Sequence, residues 1–395
     1  MRRPLALLAL SFSVALSAFA LRVGPETPVA SPTIDAASQQ NVVASPGTLG
    51  VFDRAIAWDE VSGDGQLSKV YVQRYDKNGL PLDGRGIPVA ESSHHQRRPA
   101  FGRGMVAWIE EDPVTGEASV WWRALFSLTT TDPAKFVGPP VRVADAAPGS
   151  TVSIANAHVF HILFWEAPSQ QIKGVFVSLI ARIGYDPSPF FVSSGPGDRN
   201  PVAAGTYENE VIITWNREQP QAVCPATCPP QRSIRSVTLD VMGLGPISST
   251  EIATPDGSEP QPVFNGTDFS IFWSDRQRGT LARRVSKTGV PIGDERLLHP
   301  GALQNVMWRD GQFFMTVDEG PRFAFLRLDS ELNVVESVPF HARLADGETM
   351  SIAPWWSGDF VLTYAARQPQ EGASSRAVMR LVGENIASPR RRAVR

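Results

Sequence analysis

One phrase recurs seven times along the chain: a short apolar run ending in an aromatic residue, followed by an acidic or polar one. It reads Ala55-Ile-Ala-Trp58-Asp59, Met105-Val-Ala-Trp108-Ile109-Glu110, Ile162-Leu-Phe-Trp165-Glu166, Ile212-Ile-Thr-Trp215-Asn216 and Ser270-Ile-Phe-Trp273-Ser274-Asp275. Phe313-Phe-Met-Thr316-Val317-Asp318 and Val361-Leu-Thr-Tyr364 complete the series without a Trp. A period of about fifty residues repeated seven times belongs to arrays and rings of small units, not to a single sandwich.

Within each copy, four short segments of strand composition alternate with Gly, Pro, Asn and Asp turns, and no stretch sustains a 3.6-residue period. In the first copy the segments are about 41–44, 54–58, 69–75 and 86–90, with Asn78-Gly79 as a hairpin turn. Four strands in each of seven copies predict an all-β fold, a seven-bladed β-propeller. Its ends carry the closure. Glu26-Thr27-Pro28-Val29-Ala30-Ser31 copies the fourth-strand phrase Gly86-Ile87-Pro88-Val89-Ala90-Glu91-Ser92, and the last copy supplies only three strands by about Arg380. The N-terminal strand is therefore expected to complete the last blade and remove an open edge. The five tryptophans share one register and should be buried between blades. With four-residue turns at 276–279 and 319–322, Arg284 falls on the face of Trp273, and Arg74 likewise on that of Trp58, close enough to stack.

Val70-Tyr-Val-Gln73-Arg74-Tyr-Asp76-Lys-Asn-Gly79-Leu-Pro81, with its echo Leu281-Ala-Arg-Arg284-Val-Ser-Lys-Thr-Gly289-Val-Pro291, resembles the repeats of large secreted bacterial β-propeller proteins. The resemblance spans about Glu26 to Arg380. It implies the same fold and is almost silent on activity.

Residues 1–20 read as a secretory signal, with Arg2 and Arg3, an apolar stretch from Leu5 to Leu16, and the small-x-small site Ala18-Phe19-Ala20. The propeller is expected over 21–382 and a basic tail over 383–395, where Arg390, Arg391, Arg392 and Arg395 cluster. The whole chain carries a formal net charge of −3, and removing the basic ends leaves an acidic body that argues against nucleic acid as partner. No apolar segment after the signal is long enough for a membrane helix. The two cysteines, Cys224 and Cys228, are expected to close a local disulfide loop in an oxidising compartment.

Chemistry-bearing signals are sparse. Asp59, Glu60, Glu110, Asp112, Glu166, Asp275, Asp318 and Glu319 could supply the two carboxylates a glycosidase needs. They recur blade after blade, however, which marks them first as turn and edge residues. Ser62-Gly-Asp64-Gly65-Gln66-Leu67-Ser68-Lys69 begins like a sialidase Asp-box but has Gln66 where Gly belongs and Lys69 where an aromatic belongs. His158 and His161 fall on opposite faces of one strand, and Asp76-x-Asn78-Gly79 lacks the Glu of a calcium loop, so no metal and no cofactor is expected. Polar residues do precede the first strand of most copies: Gln40-Asn41, Arg97-Arg98, Arg199-Asn200, Gln261 and Gln304-Asn305. In a propeller these starts converge on one mouth of the central channel. Arg98, Asn200, Gln261 and Gln304 are the candidate ligand-binding set.

These readings lead to a secreted, non-enzymatic binding or scaffold protein, a monomer whose partner is an extracellular protein or glycan. The alternative is a carbohydrate-active enzyme, a glycosidase or lyase, with its site at the channel face.

Overall fold

The computed structural model describes residues 20–384 apart from 33–37, 47–53, 77–78, 103, 126–136, 158–159, 178–187, 207, 220–230, 243–244, 254–256, 356–357 and 369–373. Cys224, Cys228, Asn78, His158, the leader and the Arg cluster of the tail lie outside the described residues.

Seven antiparallel sheets follow one another along the chain, over 38–88, 95–146, 152–191, 198–253, 257–299, 302–340 and 351–383. They are called blades 1 to 7. The first strand of each blade touches the first strand of the next, and that of blade 7 touches that of blade 1. These first strands therefore line the channel of a closed ring. Among the described residues there is no α-helix, in line with the missing helical period, and no helix able to cross a membrane.

Closure follows the expected route and begins slightly earlier than expected. Arg22–Val23 and Thr27–Pro28 both pair with Ser375–Gly383, the last strand of blade 7, in the registers Arg22↔Gly383 and Thr27↔Met379. Val29 N donates to Ala377 O at 2.9 Å, and the Tyr364 hydroxyl donates to Glu26 Oε1 at 2.6 Å while accepting from Arg380 Nε at 2.7 Å.

The core lies between blades. Along Arg54–Val61, the second strand of blade 1, Ile56 and Trp58 pack toward blade 7, whereas Ala55 and Ala57 pack toward Val106 and Trp108 of blade 2. Trp58, Trp108, Trp165 and Trp273 are fully buried and Trp215 nearly so. Each closes onto the preceding blade, as one shared register demands. Gly86, with φ +82°, lies beneath Trp58: a Cβ there would come within 2.6 Å of the indole Cη2. Four of these tryptophans also face an interruption of the innermost strand. Trp58, Trp108, Trp215 and Trp273 lie opposite register shifts at Gln40/Val43, Arg97/Ala100, Arg199/Val202 and Ser258/Gln261.

Two expectations are corrected. Asp275 pairs with Gly279, so the turn holds three residues rather than four, and Gly279 at φ +104° accommodates it. Trp273 therefore faces Leu281, and Arg284, opposite Ser270, points to the other side of the sheet. Arg74 likewise lies opposite Ala55, on the face away from Trp58. Instead of stacking, Arg284 pairs with Asp268 at 2.8 Å and Arg74 with Asp83. In blade 6 the turn at 319–322 has the expected length, and Thr316 pairs with Phe325 on the face turned to blade 7. Met315 and Val317 pack toward blade 5 in the tryptophan's stead.

Candidate functional site at the channel mouth

All seven innermost strands run the same way along the channel, so their starts share one mouth. At four of them the interruption places one non-glycine residue in the left-handed region: Asn41 (φ 49°), Arg98 (53°), Asn200 (52°) and Glu259 (54°). Pro99, Pro201 and Pro260 follow three of them; having no N–H, proline suits a place where the ladder is already broken. Such a conformation costs on the order of 1 kcal/mol or more per residue and persists only where the surroundings enforce it.

The four candidate residues separate into two pairs. Arg98 and Asn200 occupy the left-handed places. Asn200 is exposed, and Arg98 Nη1 donates to Ser150 O at 3.1 Å, reaching from blade 2 to the start of blade 3. Gln261 lies two residues beyond the left-handed place, which Glu259 fills. Its Nε2 donates to Gln304 O at 3.0 Å, and its Oε1 accepts from Val306 N at 3.1 Å and Asn305 Nδ2 at 3.2 Å. Gln304 Oε1 accepts from Met350 N at 3.4 Å, and Asn305 Oδ1 from Ile352 N at 3.0 Å. Gln261, Gln304 and Asn305 thus tie blades 5, 6 and 7 together.

The carboxylates also separate, by position after the aromatic residue. Those two places on serve the frame: Glu60 Oε2 accepts from Gln39 Nε2 at 3.2 Å, Glu110 Oε1 from Ser92 Oγ at 2.7 Å, Asp275 Oδ1 from Gln277 N at 2.9 Å, and Asp318 Oδ1 from Gly320 N at 2.7 Å. The place directly after the aromatic residue holds Asp59, then Ile109, Glu166, Asn216 and Ser274. Asp59, opposite Gln40, is 1% exposed and its Oδ1 has no hydrogen-bond partner.

A second acid joins it from blade 7. Glu348, in the loop ahead of Ser351–Pro354, accepts the Asn41 backbone N–H on Oε2 at 2.7 Å, while the Asn41 side chain hydrogen-bonds Asp59. One left-handed residue therefore spans two acids from the first and last blades. Burial pushes the Asp59 carboxyl up to about 6 against the pull of Asn41, Arg97 and Arg98. Burial, with the Asp59 charge beside it, pushes Glu348 up to about 7. Glu166 and Glu259 are also raised by burial. Glu259 is exposed. Among the remaining charges, Arg97 pairs with Glu111, Arg199 and Arg232 with Glu218, and Arg217 with Asp198. Among the described residues no three His, Cys, Asp or Glu side chains gather as a metal site.

Asp59 was visible in the sequence only as one acid among many; what sets it apart is that its place in blades 2, 4 and 5 is neutral. Glu348 is absent from the candidate set, although Asp346-Gly347-Glu348 continues the series of strand starts beyond Gln304-Asn305 into the seventh copy.

The raised Asp59 carboxyl has a measurable sign. The folded state holds its proton more tightly than the unfolded chain does, so this group favours folding below the ordinary carboxylate range, and that contribution is lost as pH rises toward about 6. Asp59→Asn is expected to raise stability at about pH 8 by on the order of 2–3 kcal/mol and to leave it unchanged at about pH 4. Urea midpoints at the two pH values check this, and a variant with the parent's pH profile would contradict the burial of a titrating acid.

No protein-family model matches the chain, and no curated protein does. Solved structures do. Prolyl oligopeptidase B from Galerina marginata, bound to a 35-residue hydrolysis and macrocyclisation substrate, aligns at TM-score 0.51 with 11% identity over 83% of this chain and 47% of the peptidase. A prolyl endopeptidase studied for inter-domain dynamics aligns at 0.50 with 13% identity over 87% of this chain and 47% of that one. TolB from Acinetobacter baumannii aligns at 0.42 with 13% identity over 81% and 77%. The chain spans about half the length of the peptidases it matches, and at this identity the likeness to those peptidases is one of fold alone.

Proposed function

We propose that this propeller is an exported bacterial binding protein, non-enzymatic, that holds its ligand at the channel mouth where the strand starts converge. The observation that supports it most is the mouth itself. Arg98 and Asn200 are held there in left-handed backbone, and the charge of Arg98 acts on Asp59 and Glu348, whose carboxyls burial raises. Strained residues gather where a site needs side chains aimed against local preference. The mature protein should be screened on glycan and peptide arrays, and Arg98→Ala and Asn200→Ala titrated calorimetrically with the ligand found. Gln261 is a poor choice for this test, because its loss would loosen blades 5 and 6. The expected result is a loss of binding of about 1–3 kcal/mol for at least one variant. Unchanged affinity in both moves the site to the outer loops, the Cys224–Cys228 segment first.

A carbohydrate-active enzyme is the second reading, favoured by one observation. Asp59 and Glu348 meet at Asn41 with carboxyls raised to about 6 and about 7, so one can keep a proton near neutral pH. Turnover of chromogenic glycosides that disappears in Asp59→Asn would establish it.

A further inference from the structure

We propose that the mouth between blades 7, 1 and 2 receives a primary ammonium group, held at the Glu348 carboxylate with the buried charge of Asp59 behind it. The inference rests on the binding reading above and names the chemistry of its ligand.

Asp59 is the first ground. A carboxylate oxygen sealed from water without a donor is costly, and nothing in the repeat requires an acid there, since Ile109, Asn216 and Ser274 fill the same place in blades 2, 4 and 5. The second ground is placement. Asn41 draws Glu348 across the ring closure by its backbone N–H and Asp59 by its side chain, so two acids from different blades come close enough for the charge of one to act on the other. Glu348 is half-buried, and no hydrogen bond is made to its Oε1 among the described residues, so this acid remains within reach of solvent.

Charge is the third ground. With Arg97, Arg199, Arg217 and Arg232 each engaged by a carboxylate, the described groups at this end without an ion pair are Asp59, Glu348, Glu166 and Glu259 against Arg98 and Lys69. Arg98 spends its Nη1 on the Ser150 carbonyl. The excess is negative, so a cation is the complementary ligand. A metal ion fits poorly, because calcium wants six to eight oxygens and no third acid joins the pair closely enough. An ammonium has three donors, which Glu348 and water can take up, while the Asp59 charge acts on it through space. A hydroxyl would leave the excess charge.

The proton balance follows. Burial raises Asp59 to about 6 and Glu348 to about 7, so near neutral pH the pair retains part of a proton. The groups acting on it are Arg97 and Arg98 from blade 2, whose charges lower Asp59, and Glu166 of blade 3, which shares the field of Arg98. An entering ammonium favours the ionised forms, so that proton is released and affinity rises from about pH 5 to about pH 8.

The test is carboxyl carbon-13 NMR on the full chain, with n-butylammonium as probe and n-butanol as its uncharged counterpart. Butylammonium is expected to shift the Asp59 and Glu348 signals, lower both titration midpoints and move the Asn41 amide resonance, while butanol does none of these. Asp59→Asn and Glu348→Gln should each weaken the response about tenfold or more, and using both guards against a folding defect in either. Equal responses to the two probes, or none to butylammonium, overturn the proposal. An array ligand that depends on Arg98 but is indifferent to Asp59→Asn overturns it too, while sparing the channel-mouth reading. A ligand indifferent to all these variants defeats both.

Discussion

Replacing Trp108 with Ala is expected to destabilise the ring by about 3–5 kcal/mol. The indole is fully buried between blades 1 and 2, against Ala55, Ala57, Val70, Val72 and Val106. All five are small or β-branched residues on short, paired strands and cannot swing in to fill the space. A closed ring restricts relaxation further, because bringing two blades together would part them from their other neighbours. Urea unfolding followed by fluorescence of the remaining tryptophans gives the number. A midpoint equal to the parent's would mean that the recurrent tryptophan does not support the interfaces, and the repeat would need another explanation.

Truncating Asp83 should cost a comparable amount, about 3–5 kcal/mol, by a different route. Arg74 is buried, and Asp83 meets it with both oxygens: Nη2 to Oδ1 at 2.6 Å and Nε to Oδ2 at 3.0 Å, with the Arg74 backbone N–H also on Oδ2 at 3.0 Å. Asp83→Ala removes the countercharge and leaves the guanidinium in a site that water reaches poorly. The double variant Arg74→Met, Asp83→Leu separates charge from shape, since exchanging both members of a buried pair for apolar residues is often close to neutral. Recovery of much of the lost stability in the double variant is expected. A loss below about 0.5 kcal/mol in Asp83→Ala would show that solvent already screens the pair.

Ring size and closure were legible because both are written as copies. Each tryptophan is one large residue in one buried register, so its spacing counts interfaces, and the phrase Thr27-Pro28-Val29-Ala30 announces a fourth strand wherever it stands. Side-chain direction was less legible. One residue fewer in the turn before Gly279 sends Arg284 to the opposite face, and composition does not distinguish a three-residue turn from a four-residue one. At the mouth, Pro260-Gln261-Pro262 imitates the Arg-Pro and Asn-Pro pairs of blades 2 and 4, yet the left-handed residue is Glu259. Glu348 acts on Asn41 from 307 positions away, a distance that only ring closure removes.

The clasp on blade 7 also gives the ring a mechanical weak direction. Arg22 stands opposite Gly383, so the two ends of the ring leave from the same end of one antiparallel ladder. Tension between them would load the perpendicular hydrogen bonds one at a time, as a zipper is opened, instead of shearing the ladder all at once. The Gly24-to-Leu381 bond would part early, then the Thr27–Met379 pairing and the Val29-to-Ala377 bond, leaving blades 1 to 6 under little strain. Since Asn41 and Glu348 meet where blade 1 adjoins blade 7, a pull that went on to part these two blades would also break the bond between them.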